Sequence, residues 1–183
     1  LGDVYKRQGT GAGYFATTGS TTQTECSAGT YNDMAEQGTC QLCEAGRYQD
    51  ETRSTGCKDC TTGHYCEQGA AAPLPCTEGT FSSEVGLRRE AQCTGCPAGS
   101  SCSTGSLAHT PCSPGTVQPA AGQPECASCM AGKYQQGVGK TECQACTPGS
   151  YCEEGSSSPL PCPSGRYQNG TMMALNLSMT SED

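Results

Sequence analysis

The residues best able to do chemistry in this sequence are its 17 cysteines, set among only two histidines in a chain of 183. Many stand as Cys-x-x-Cys, at 40/43, 57/60, 93/96, 126/129 and 143/146. Such pairs serve three chemistries: structural zinc, thiol redox catalysis and closely spaced disulfides. Zinc is the strongest rival. CQLC (40–43) and CKDC (57–60), like CASC (126–129) and CQAC (143–146), have the spacing of a four-cysteine site. Yet Cys26, Cys66, Cys76 and their counterparts fall outside such tetrads, and 93/96 has no second pair beyond it. A redox dithiol needs a low-pKa cysteine at a helix start within a βαβ frame, and no such pattern surrounds these pairs. Nucleophilic catalysis needs a base beside the thiol, and His64 and His109 fall in turn or linker sequence. Asp50-Glu51 and Glu153-Glu154 lack the oxygen-rich loop of a calcium site. The expectation is therefore no catalytic residue, no metal and no cofactor.

Disulfides remain, and composition favours them. Tryptophan and isoleucine are absent and phenylalanine occurs twice, whereas glycine occurs 25 times and proline 11 times. So few large apolar groups cannot offset the roughly 1–2 kcal/mol per residue of backbone entropy lost on folding. Cross-links have to supply the order, and this cysteine density implies an oxidising, extracellular or cell-surface setting reached through the secretory pathway. A net charge of −8, with no basic stripe, argues against a nucleic-acid partner. No apolar run reaches the ~20 residues of a membrane-spanning helix, so no direct membrane insertion is expected of this segment.

The elements that place the cysteines repeat. Cys26, Cys40, Cys43, Cys57, Cys60, Cys66 and Cys76 recur, each displaced by 86 residues, at Cys112, Cys126, Cys129, Cys143, Cys146, Cys152 and Cys162. Within this period a longer module opens Cys-x-x-Gly-x-aromatic, as in CSAGTY (26–31) and CEAGRY (43–48), with Val117 replacing the aromatic once. A shorter one closes after five residues, as in CTTGHYC (60–66), CPAGSSC (96–102) and CTPGSYC (146–152). Residues 10–26 align with 60–76, but Thr10 and Ala16 stand where Cys60 and Cys66 would be. The joint loss points to a bonded pair. The pairing read from the sequence is Cys26–Cys40, Cys43–Cys57, Cys60–Cys66, Cys76–Cys93, Cys96–Cys102, Cys112–Cys126, Cys129–Cys143 and Cys146–Cys152, with Cys162 unpaired. The alternative for the short modules joins Cys60 to Cys76 and Cys66 to Cys93.

A loop of 15 residues closed in this way is stabilised by about 3 kcal/mol in the chain-entropy model. Glycine three residues after each opening cysteine suits a left-handed turn, and an aromatic such as Tyr31, Tyr48 or Phe81 is expected to begin a short strand against the disulfide. The fold class expected is small and disulfide-rich: an elongated tandem array of disulfide-closed β-hairpin modules, with little helix and no large hydrophobic core.

The Cys-x-x-Gly-x-Tyr openings and Cys-x-x-Cys junctions resemble the ephrin-receptor-like cysteine-rich repeats (GCC2/GCC3-type), which are similar in appearance to tumour-necrosis-factor-receptor and growth-factor-receptor cysteine-rich modules. The resemblance covers about 10–170. It implies an extracellular, non-catalytic segment of a larger secreted or surface protein, and no kinase comes with it. Residues 1–9, beginning LGDVYKRQ, read as junction sequence; 10–95 as the first repeat; 96–170 as an incomplete second; and 171–183 as an atypical tail. The position paired with Cys162 by the period is Met179. Asn169 heads an Asn-Gly-Thr glycosylation triplet, while Asn176 heads a second triplet within that tail. The role expected is a stalk, spacer or adhesion segment; the alternatives are a ligand-binding receptor module, with Arg88 and Arg89 as the binding candidates, and, less favoured, a four-cysteine zinc domain. The protein or glycan ligand is unknown.

Overall fold

The computed structural model describes residues 10–164. Cys26, Cys43, Cys60, Cys76, Cys96, Cys112, Cys129 and Cys146 are each followed by one antiparallel hairpin with two residues in each strand, and a further hairpin precedes Cys26. The nine pairings are Tyr14–Phe15 with Thr24–Glu25, Thr30–Tyr31 with Gln41–Leu42, Arg47–Tyr48 with Lys58–Asp59, His64–Tyr65 with Leu74–Pro75, Thr80–Phe81 with Thr94–Gly95, Ser100–Ser101 with Thr110–Pro111, Thr116–Val117 with Ala127–Ser128, Lys133–Tyr134 with Gln144–Ala145, and Ser150–Tyr151 with Leu160–Pro161. Helix among the described residues is confined to a 3₁₀ turn, Glu90–Gln92. The aromatic residue ends the first strand instead of beginning it, because the turn glycine is followed by one extended residue.

The opening turn explains the sequence pattern. In Ser27-Ala28-Gly29-Thr30 the Thr30 amide donates to the Ser27 carbonyl at 3.0 Å, and Gly29 holds φ at 81°. Positive φ at the third position of a four-residue turn favours glycine, while proline suits the second; Pro114-Gly115 and Pro148-Gly149 supply both. Each hairpin then closes on itself. The Cys43 amide donates to the Gly29 carbonyl at 2.9 Å, and the same bond recurs in every hairpin, from Cys26 on Gly13 to Cys162 on Gly149.

Burial belongs to sulfur. Apart from Leu87 and Val117, the buried apolar residues are all cysteines, among them Cys26, Cys43, Cys60 and Cys66 at 0% exposure. Two compact units are distinguished. Among the described residues one runs through Cys76 and includes Ser82–Cys93; the other comprises Thr77–Phe81 and the residues that follow Cys93.

Candidate functional site

The chemistry-bearing cysteines are joined as Cys26–Cys40, Cys43–Cys57, Cys60–Cys66, Cys76–Cys93, Cys96–Cys102, Cys112–Cys126, Cys129–Cys143 and Cys146–Cys152. The two members of each Cys-x-x-Cys pair thus serve different rings, and a half-buried Cys162 carries the free thiol. Among the described residues no three histidine, cysteine, aspartate or glutamate side chains gather as a metal site.

Hairpins are tied to one another through backbone. In the first unit the turn amides of Gly13, Gly29, Gly46 and Gly63 donate to the carbonyls of Asn32, Gln49, Cys66 and Ser82, each the residue after the first strand of the next hairpin. In the second unit Gly79, Gly99, Gly115 and Gly132 do the same to Cys102, Gln118, Gln135 and Cys152. A second set of bonds skips one hairpin. Arg53, Gly69 and Gly86 donate to the carbonyls of Cys26, Cys43 and Cys60 at 2.8–2.9 Å, while Gly122, Gly139 and Gly155 donate to Cys96, Cys112 and Cys129 at 2.8 Å. The loops that carry Arg53, Gly69, Gly86, Gly122, Gly139 and Gly155 are in effect clasps on the hairpin two places before. The contact is close enough that a Cβ on Gly29, Gly79, Gly99 or Gly115 would collide with the carbonyl oxygen of Gly69, Gly122, Gly139 or Gly155 respectively.

Sequence reasoning missed the residues that follow the first strand. In the short modules this position is Cys66, Cys102 or Cys152 and in the first hairpin Ala16; in the longer modules it is a polar residue, Asn32, Gln49, Ser82, Gln118 or Gln135. Gln49 donates through Nε2 to the Gly56 carbonyl at 2.6 Å and accepts from the Glu51 amide at 3.0 Å. Gln135 does the same with Glu142 and Gly137, and Gln118 with Glu125 and Ala120. A glutamine that braces its own loop can stand where a short ring would otherwise hold the chain. The signal was present as glutamine directly after the aromatic or valine in GRYQ, GTVQ and GKYQ.

The aligned Thr10 lies where an opening cysteine would. Its carbonyl accepts the clasp bond from the Glu36 amide, as Cys26 does from Arg53, and its hydroxyl is buried without a partner.

The remaining candidates are scattered. His64 Nδ1 is 2.8 Å from the Thr62 carbonyl, and exposed His109 stacks edge-on to Phe81 at 5.6 Å with Nδ1 3.1 Å from Ser100 Oγ. Neither touches a free thiol in these contacts. Asp50 and Glu51 face Lys58, whose ammonium lies 2.6 Å and 3.9 Å from their carboxylates, and Glu153 and Glu154 are exposed. The hydrogen bond from Lys58 lowers the Asp50 carboxyl below its ordinary value and raises Lys58 in return. Arg47 is raised by its hydrogen bond to Asp59, and Arg53 by one to Tyr14. Arg88 and Arg89 are exposed; the Arg88 amide is held by Gln92 Oε1 at 2.7 Å, and neighbouring Leu87 is buried in a bridge to Tyr65. Asn169, Asn176 and Met179 lie outside the described residues.

Residues 13–60, running from the turn glycine of the first hairpin to the opening cysteine of the fourth, match the family model described as tyrosine-protein kinase ephrin type A/B receptor-like. This stretch is an ephrin-receptor-like cysteine-rich module. The match takes in three hairpins and two disulfides of the first unit. The same turn, closing and clasp bonds recur beyond Cys60, in the second unit. No curated protein matches the chain. The ephrin-receptor-like module, together with abundant disulfides, points to an extracellular module of receptor type. Among the described residues no helix is long and apolar enough to cross a membrane.

Proposed function

We propose that this chain is a non-catalytic spacer, a stalk or adhesion segment within a larger secreted or cell-surface protein. The observation that supports it most is the uninterrupted succession, within each unit, of turn-glycine bonds to the next hairpin and clasp bonds to the one after. Within a unit a hairpin that makes both bonds has its position set by its neighbours and not by a flexible linker. Repeats coupled only to near neighbours transmit geometry along the chain. No metal or cofactor enters this reading, and Asn169 is its glycan-bearing residue.

Single-molecule extension of the oxidised chain tests the reading. A spacer resists extension and lengthens in small steps bounded by the disulfide rings, with a large further gain only after reductant is added. Lengthening at low force in the oxidised state, as from beads on a loose string, overturns it.

A second reading, a ligand-binding receptor module, draws on the departure from symmetry at Arg88 and Arg89. The corresponding position two residues after the loop glycine is Ala71 in the fourth hairpin and Ser157 in the ninth, whereas here an exposed arginine pair rides on a loop anchored by Leu87. Exchange of both arginines for glutamate abolishes capture of an extracellular ligand if this reading holds, and leaves a spacer unaffected.

A further inference from the structure

The eight disulfides differ in accessibility according to ring type. In each longer ring the opening cysteine is buried, with Cys26, Cys43, Cys76 and Cys129 at 0% exposure and Cys112 at 1%, while the closing cysteine, Cys40, Cys57, Cys93, Cys126 or Cys143, is half-buried. In each short ring both partners are buried: Cys60 and Cys66 at 0%, Cys96 and Cys102 at 0% and 1%, Cys146 and Cys152 at 3% and 4%. The division holds for all five longer rings and all three short ones.

Thiol–disulfide exchange requires a thiolate to reach one sulfur of the bond, and access decides which sulfur is attacked. We propose that Cys40, Cys57, Cys93, Cys126 and Cys143 are sites of thiol modification, at which a small thiol such as glutathione, or the thiolate of an oxidoreductase, opens the longer rings while the short rings stay closed. At Cys40 the incoming thiolate bonds to Cys40 Sγ, the Cys26–Cys40 bond breaks, and Cys26 leaves as a thiolate that takes a proton from water. A second thiol attacks the mixed disulfide, leaving Cys40 as a thiol and releasing the oxidised small-molecule disulfide. Two thiols are oxidised and one protein disulfide is reduced.

The consequence follows from where the clasps sit. Glu36, Arg53, Gly86, Gly122 and Gly139 all lie inside longer rings, and their amides hold the carbonyls of Thr10, Cys26, Cys60, Cys96 and Cys112. Gly69 and Gly155, the clasps of two short modules, lie beyond the ring-closing Cys66 and Cys152. Thiol attack at the five half-buried cysteines therefore opens the covalent loops that carry five clasp amides, whereas the Gly69 and Gly155 amides lie in loops that no ring closes and meet an opened ring only through their acceptors, the Cys43 and Cys129 carbonyls. The device is a graded loosening of the array, independent of whether its host uses it as a spacer or a receptor.

The test uses the whole oxidised chain, with Cys162 first blocked by alkylation. It is titrated with reduced glutathione, quenched in acid, alkylated and mapped by peptide mass spectrometry. The expected result is glutathione on Cys40, Cys57, Cys93, Cys126 and Cys143, alkyl label on their opening partners, and intact 60–66, 96–102 and 146–152 rings at the same glutathione concentration. Adducts on the opening cysteines, short rings opening first or together with the longer ones, or all-or-none reduction coincident with unfolding would each overturn the proposal. Hydrogen exchange on the partly reduced sample adds a readout of the consequence: the Gly86 and Gly122 amides, carried on opened rings, lose more protection than those of Gly69 and Gly155, and equal loss at all four would overturn it.

Discussion

The carbonyl oxygen of Gly86 lies 2.5 Å from the point at which Gly46 would carry a Cβ. Gly46 also holds φ at 93°. The residue is thus constrained twice, by its own turn and by the loop two hairpins later, so Gly46→Ala should destabilise by more than the about 1–2 kcal/mol of a left-handed alanine. Gly38→Ala, with open space around it and no positive φ, is the control and should change little. Denaturant unfolding of the oxidised proteins measures both.

Arg53 and Glu36 occupy, with φ of 57° and 62°, clasp positions held elsewhere by Gly69, Gly86, Gly122, Gly139 and Gly155. Arg53→Gly relieves the left-handed strain at a smaller cost in unfolded-state entropy. A net gain of about 0.5–1 kcal/mol is expected, whereas Arg53→Val should destabilise, since a branched Cβ tolerates this region least. A loss of stability in the glycine variant would show that the exposed Arg53 side chain, near Glu25 and Tyr14, matters more than its backbone.

Gln135→Leu removes both bonds with which the side chain braces its loop, leaving the Glu142 carbonyl and Gly137 amide without that partner. A loss of about 1–3 kcal/mol is expected, together with faster hydrogen exchange at Gly137.

Thr10→Cys combined with Ala16→Cys places two thiols where Cys60 and Cys66 stand in the aligned copy. A ninth disulfide should form, seen as no rise in free thiol over the parent, and it should add about 2 kcal/mol in the chain-entropy model for a ring of seven. The same change removes the buried, unpartnered Thr10 hydroxyl. Two additional titratable thiols would show that the first hairpin does not share the geometry of the fourth.

Asp50 and Lys58 set a pH dependence whose sign is fixed. The Asp50 carboxyl is lowered on folding, so its contribution is complete above the ordinary carboxylate value and is lost as pH falls through the lowered one; Lys58 is raised, so its contribution holds below the ordinary ammonium value and is lost as pH rises through the raised one. Both groups are exposed and screened by solvent. Lys58→Met should therefore return the Asp50 titration, followed by NMR, toward its ordinary position while leaving neutral-pH stability unchanged. An Asp50 titration that does not move would mean the 2.6 Å contact is not populated in solution.

The amino-acid sequence by itself determined the local unit. A glycine three residues after each cysteine can take the left-handed turn, and cysteine at regular spacing replaces an apolar core that the composition cannot supply; both act over a few residues, so both are written in the order of residue types. The array of short hairpins with almost no helix was legible for that reason. The strand position of Tyr31 was misplaced by one residue, since an extended residue after the turn has no mark of its own. What only the tertiary structure decided is how one unit is held by others. The bonds from Gly46 to Cys66, or from Gly86 to Cys60, join backbone to backbone, and peptide groups are the same whatever side chain they carry. The inward turn of Gln49 and Gln135 and the burial of one cysteine but not the other in each longer ring likewise come from neighbours packed against them, not from the residues' own types.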